Sequence, residues 1–236
     1  MNLPLSLWAV AWREQRRAGF ALIVKLLYPV VTVAFMLLGK APLHIAASVI
    51  VLLIAFMTVV DLGLSWARER REGMLARLAL TPLSPRRVVF ERLAASVAMD
   101  ALQTLPVALL LALFYRPPLT IFLTLLAALF GALLASNVLS LLVTLLPGGR
   151  REVILYAVIV VFALLFLGGV FRPIGPAEGV LNLIAHLTPY AALHQAIRLS
   201  MLQQAIWTLP DILLDSALLS AAFAVILAAL APRLVR

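Results

Sequence analysis

Residues 66–93 read WARERREGMLARLALTPLSPRRVVFERL, and how this stretch is read decides the fold. It stands between two apolar runs, Leu43 to Trp66 and Leu93 to Tyr115, each long enough to cross a hydrocarbon core of about 30 Å, which takes about 20 helical residues. From Glu69 to Leu80, helical spacing puts Met74, Leu75 and Leu78 on one side and Arg70, Arg71 and Arg77 on others. Pro82 then drives Thr81 out of helical geometry. Ser84 reads as an N-cap with Pro85 at the first helical position, so a new helix begins at Arg86 and runs straight into the next apolar run. Helix, sharp turn and helix therefore follow one another at a membrane surface. The segment reads as a handle offered to a cytoplasmic partner, and its apolar face equally suits a helix resting on lipid headgroups.

Outward from this segment, the rest of the chain is apolar. Hydrophobic residues make up 64% and charged residues 12%, with a mean hydropathy of +1.11, which leaves too little polar surface to coat a soluble globule. The expected class is an all-α membrane protein, one domain over residues 1–236, with six transmembrane helices. The expected spans are Phe20 to Leu38, Leu43 to Trp66, Leu93 to Tyr115, Leu119 to Leu146, Val153 to Val170 and Ile212 to Ala231, each ended by charge or by Pro and Gly. With a cytoplasmic N-terminus, that face holds Arg13, Arg16, Arg17, Arg68, Arg70, Arg71, Arg77, Arg86, Arg87, Arg92, Arg150, Arg151, Arg233 and Arg236. The opposite face holds only Lys40, Arg116, Arg172 and Arg198, so both termini are expected inside. The net charge of +9 is thereby read as topology and interfacial anchoring, with no nucleic-acid partner. The absence of cysteine excludes disulfides, thiolate catalysis and cysteine-ligated metal sites.

Residues 1–19 read as an uncleaved interfacial helix, with Pro4 in its first turn, Leu5, Trp8 and Trp12 on one side and Arg13, Arg16 and Arg17 beyond. Inside the spans, Lys25, Asp61 and Asp100 sit at similar depths, and a pairing of Lys25 with Asp61 or Asp100 is expected because an isolated charge there is costly. The alternative is snorkelling of Lys25 to the headgroups, with Asp61 in contact with water. Gln103 and Thr104 lie one turn beyond Asp100 on a polar side suited to a conduit, and Pro106 frees a backbone carbonyl. Ala128, Ala132, Ser136, Ser140 and Thr144, with Gly131 and Ala135 beside them, make one face of the fourth span small, as close helix packing requires. Asn137 beside that face reads first as an interhelical hydrogen-bonding group and second as a substrate contact. After Gly168 and Gly169, two short amphipathic pieces, Ala177 to Leu187 and Tyr190 to Gln203, suggest helices that dip into or lie on the outer leaflet. Asp211 suits the N-terminus of the last span, and Asp215 one turn deeper has no evident role.

The residues from Ala67 to Ser96, ARERREGMLARLALTPLSPRRVVFERLAAS, resemble the segment between the second and third spans of ABC-2 type transporter permeases. Glu69, Arg70, Glu72, Gly73, Leu75, Leu78, Thr81, Pro82 and Ser84 carry the likeness, while Met74 stands where the family commonly has Thr or Ser. GGVFRPIGPAEGVLNLIAHLTPYAALHQAIRLSM, after the fifth span, is similar to the family's extracellular segment at Gly169, Val170, Phe171, Pro173, Pro189 and Arg198. The resemblance implies a membrane permease subunit whose coupling region, residues 67–92, is received by a separate cytoplasmic ABC ATPase. Arg70, Glu72 and Arg77 would orient that contact by charge, and Leu75 and Leu78 would supply the buried part. It also implies an extracellular re-entrant cap at 171–207, pairing with a second permease as homodimer or heterodimer, contact with lipid, a plasma (inner) membrane location, and export.

No GxxxxGK[ST] loop occurs, so the chain is expected to have no ATPase activity and no cofactor of its own, with ATP and Mg bound by the partner. An apolar, small-faced interior favours an amphipathic or lipid-like cargo over an ion. The chain also resembles the haem exporter B branch of cytochrome c maturation, although GGVFRPIG and LTPYAALHQAIR are closer to drug and lipid exporters. A membrane scaffold binding a non-ATPase partner would explain the arginines but not the intramembrane polar groups. An intramembrane enzyme would have to rely on His44, His186 or His194, as in a pair of Ser200 with His194, without HExxH or Gly-x-Ser-x-Gly, and no metal site is expected.

Overall fold

The computed structural model describes residues 19–71, 73, 84–147, 149–172, 174, 178–202 and 206–234. Among them are eight helices and no strand: α1 (Gly19–Leu38), α2 (Leu43–Arg71), α3 (Pro85–Tyr115), α4 (Leu119–Val143), α5 (Arg150–Leu167), α6 (Val180–His186), α7 (Pro189–Leu202) and α8 (Leu209–Leu234). Among the described residues, Ile45–Arg70, Pro85–Tyr115, Leu119–Val143 and Leu209–Leu234 are long and apolar enough to cross a membrane, and Leu27–Leu38 is a shorter apolar stretch. The expected interfacial helix lies in residues 1–18, outside the described set, and residue 19 already belongs to α1.

Local chemistry sets the helix ends. Ser84 caps α3 as its sequence position suggests, its side chain accepting the Arg87 N–H at 3.3 Å with Pro85 in the first turn. The helix then continues for 31 residues without a break between its polar start and its apolar run. At its far end, Arg116 adopts left-handed geometry (φ 47°), closes on the Ala112 carbonyl, and passes through Pro117 and Pro118 into α4. Gly73 serves the same purpose after α2, where φ is 68° and its N–H meets the Arg70 carbonyl at 3.3 Å. The first turn of α5 holds Glu152, whose carboxylate accepts the Gly149 N–H at 2.8 Å.

α4 is the central helix, packed against α8, α2, α7 and α3. Its small face explains that position. Ala128, Ala132, Ala135, Ser136 and Ser140 are all buried, and the close approaches are specific. A Cβ on Gly131 would come 3.3 Å from Ser216 of α8, and one on Gly63 of α2 would come 3.0 Å from the Ser140 hydroxyl of α4. The outer faces of α1, α3, α5 and α8 expose Phe35, Leu109, Phe166 and Leu218 among many large apolar side chains, as suits surfaces in hydrocarbon.

One helix end differs in detail from the sequence-based expectation. α4 stops at Val143 rather than Leu146, because Thr144 turns its hydroxyl back onto the Leu141 carbonyl at 2.6 Å and the chain tightens there. In α7 every residue from Pro189 to Ile197 is buried, against α2, α4 and α8.

Candidate functional site

The described part of the connector is its base. Glu69 at the end of α2 is 4% exposed and forms an ion pair with Arg92 of α3, so the two helices flanking the connector are fastened to each other. Arg70 reaches from α2 to the Thr144 carbonyl at the end of α4, at 3.3 Å, where helix-end carbonyls favour a cation. Three helix ends thus meet beneath the connector, and Val153, near the start of α5, packs beside Gly63 close to them. Gly73 lies in the turn that leaves this base. Glu72, Leu75, Arg77, Leu78, Thr81 and Pro82 lie outside the described residues.

Above the base runs a buried polar seam. The Asn137 amide donates to the Asp100 carboxylate at 2.7 Å and to the Leu133 carbonyl at 2.9 Å, joining α4 to α3 as an interhelical hydrogen bond. Gln103 and Thr104 are buried one turn further along α3, Thr104 donating to the Asp100 carbonyl at 2.8 Å and Gln103 holding a buried Nε2 without a partner. Ser140 donates to the Val59 carbonyl of α2 at 2.6 Å, and Ser136 shares a 2.9 Å hydrogen bond with the Tyr190 hydroxyl of α7. α4 is therefore hydrogen-bonded to α3, α2 and α7 at successive levels. Lys25 and Asp61 belong to α1 and α2, with side chains outside the described set, so their expected pairing falls there.

At the end of α2 remote from the connector, the Ser48 hydroxyl donates to the Val170 carbonyl at 2.6 Å and its oxygen lies 3.4 Å from His194 Nε2 of α7. Burial, with the nearby Arg198 cation, holds the His194 imidazole well below its usual range, at about 4, so the ring is neutral near pH 7. Ser200 instead gives its hydroxyl to the Ala196 carbonyl at 2.9 Å, so the serine and histidine considered from sequence are not a pair. The segment leading to α7 is fixed by Gly169 (φ 69°) and by Gly168, whose missing Cβ would come 2.6 Å from the Thr188 hydroxyl. Phe171 stacks on Phe162 of α5 with centroids 6.3 Å apart, Pro189 opens α7, and Pro173 lies outside the described residues.

The contact that sequence reasoning missed is that of Asp215. Its carboxylate meets His186 Nδ1 of α6 at 2.6 Å, and that ring stacks on Trp207 at 4.0 Å and 9°. Asp211 and Thr208 cap α8 reciprocally, the Thr208 hydroxyl donating to the Asp211 carboxylate at 2.6 Å and the Thr208 N–H at 3.1 Å. Among the described residues no group of three or more His, Cys, Asp or Glu is placed to hold a metal ion.

The family model described as ABC-2 family transporter protein matches residues 31–231. No curated protein and no solved structure matches the chain.

Proposed function

The chain belongs to the ABC-2 family of transporter proteins, a membrane subunit rather than the ATPase, and from that premise we propose that it is the permease of an exporter for an amphipathic or lipid-like substrate. A separate cytoplasmic ABC ATPase binds the connector between α2 and α3. Leu75 and Leu78 supply the buried contact, and Glu72, Arg77, Thr81 and Pro82 shape and orient it. Glu69, Arg70 and Gly73 form its base, through which movement of the connector passes to α2, α3 and α4 together. The bundle crosses the plasma membrane six times with both termini inside, and a second permease completes the path. Lys25, Asp61, Asp100, Gln103 and Asn137 contribute polar groups beside it, and the segment around Gly169, Phe171, Pro173 and Pro189 closes the outer side.

The observation that carries this reading is the position of the connector: two helices with membrane-crossing length are fastened by Glu69 and Arg92 just where the arginine-dense segment leaves them. A force on that segment then moves a joined pair of helices rather than one loose end. Affinity purification of the full chain from its own cells tests it. An ABC ATPase should co-purify and be lost in the Leu75→Asp, Leu78→Asp double variant, whereas a partner of another class, held equally by that variant, overturns the reading.

A further inference from the structure

The arginines at the connector end fall into two kinds. Arg92 is paired with Glu69, Arg87 with Glu91, and Arg70 is directed at the Thr144 carbonyl. Arg86, Arg151 and Arg233 are exposed and have no ion pair or side-chain hydrogen bond among the described residues. Helix chemistry does not account for all of them either. Arg86 and Arg151 stand in the first turns of α3 and α5, where a cation is disfavoured, and Arg233 stands in a last turn, where one is favoured.

What the three share is the surface each one heads. In α5, Arg151 is followed at three- and four-residue spacing by Leu155, Ile159, Phe162 and Phe166, all exposed. In α3, Arg86 is followed one turn on by exposed Phe90 and then by exposed Ala94. In α8, Arg233 is preceded at the same spacing by Ala229 and Val225, again exposed. All three lie at one end of the bundle. The starts of α3 and α5 adjoin the base of the connector, and α8 starts at the remote end, where Asp215 meets His186, so its last turn returns to the connector end. Each arginine therefore stands one helical turn, about 5 Å, beyond an outward-facing stripe of small or apolar side chains. From there its apolar stem lies along hydrocarbon while its head reaches the polar layer.

That placement names the occupant. A free cation above a stripe that faces hydrocarbon meets a molecule with acyl chains below and a phosphate above, and the planar guanidinium takes two phosphate oxygens at once. A zwitterionic headgroup brings its own ammonium to the phosphate, so a lipid of net negative charge is favoured. We propose that Arg86, Arg151 and Arg233 hold the phosphates of anionic lipid headgroups in the leaflet on the connector's side, with the acyl chains lying on the stripes of α3, α5 and α8. Arg70, Arg87 and Arg92 take no part, because their charges are already answered within the fold. The inference rests on the chain lying in a bilayer and on neither the ATPase nor the cargo. Lipid binding is read without both, so its failure leaves the transport reading standing.

The test uses the full chain purified in a neutral detergent and mixed with phosphatidylglycerol or phosphatidylcholine of identical acyl chains, with retained lipid counted by native mass spectrometry. The unaltered protein should retain phosphatidylglycerol in clear preference. Each of Arg86→Gln, Arg151→Gln and Arg233→Gln should weaken that preference, by about fivefold. The triple Gln variant should lose at least tenfold, and the corresponding triple Lys variant should keep most of the preference. Arg87→Gln, which removes the same charge at the same depth, should change it less than twofold. Equal retention of the two lipids by the unaltered protein overturns the proposal, as does a smaller loss in the triple Gln variant. A loss in Arg87→Gln as large as in the three single variants also overturns it, because bulk charge would then explain the binding. If the triple Gln variant does not fold, the single variants decide: unchanged preference in all three overturns the proposal.

Discussion

The two ends of the bundle are built by opposite means. At the connector end, full charges meet: Glu69 with Arg92, and Arg70 with the carbonyl end of α4. At the other end α7 is inserted into the core, where Ser136 shares a hydrogen bond with its Tyr190 and Ser48 lies against its His194. The first end resists separation of α2, α3 and α4. The charge pairs of the second, Arg172 with Glu178 and His186 with Asp215, lie outside α7. Under the proposed function, the end with the paired helices is the one that receives work from the ATPase.

The largest effect should come from the connector end. Glu69→Ala leaves Arg92 largely buried without its carboxylate and should lower stability by about 3 kcal/mol, measured by unfolding of the purified protein. The Glu69→Leu, Arg92→Leu double variant should recover most of that loss while uncoupling ATP hydrolysis from transport. Full coupling in the double variant would remove the mechanical role of the pair. At the other end, Gly168→Ala sets a Cβ 2.6 Å from Thr188 and 2.9 Å from the Leu164 carbonyl, a backbone atom, and should cost about 2 kcal/mol. Between the ends, Asn137→Ala removes the 2.7 Å link to Asp100 and should cost about 1 to 2 kcal/mol. A loss confined to transport, with stability intact, would make Asn137 a substrate contact instead. The smallest effect is that of Ser84→Ala, about 1 kcal/mol by loss of a helix cap.

Acid separates the two ends as well. His194 has its folded value held at about 4, below its ordinary one near 6.5, so the folded state binds fewer protons than the unfolded chain between those values. Its stabilising contribution is complete above pH 6.5 and is lost as pH falls toward 4. Unfolding temperature measured from pH 7 to pH 5 should fall, and His194→Gln should flatten that dependence.

The sequence made most helices readable because the spans are marked at both ends. Arg116, Pro117 and Pro118 divide α3 from α4, and Ser84 with Pro85 starts α3 within two residues of the expected place. The small face of α4 was equally legible, since a four-residue repeat of Ala and Ser has one good packing use. The depth of α7 was not. Its run PYAALHQAIR mixes apolar and polar residues as a surface helix does, and its burial depends on Ser136 and Ser48, far away in the chain. Asp215 was opaque for the same reason: its partner His186 lies 29 residues earlier, on another helix. Pairings set by tertiary packing leave no local period to read.

The central claim is that the arginine-dense connector faces the cytoplasm, and the absence of cysteine in the chain permits a direct measurement. Single variants Arg77→Cys and Arg116→Cys are exposed in intact cells to a membrane-impermeant maleimide. Arg116→Cys should label at once and Arg77→Cys only after the membrane is permeabilised. Labelling of Arg77→Cys in sealed cells would contradict the account.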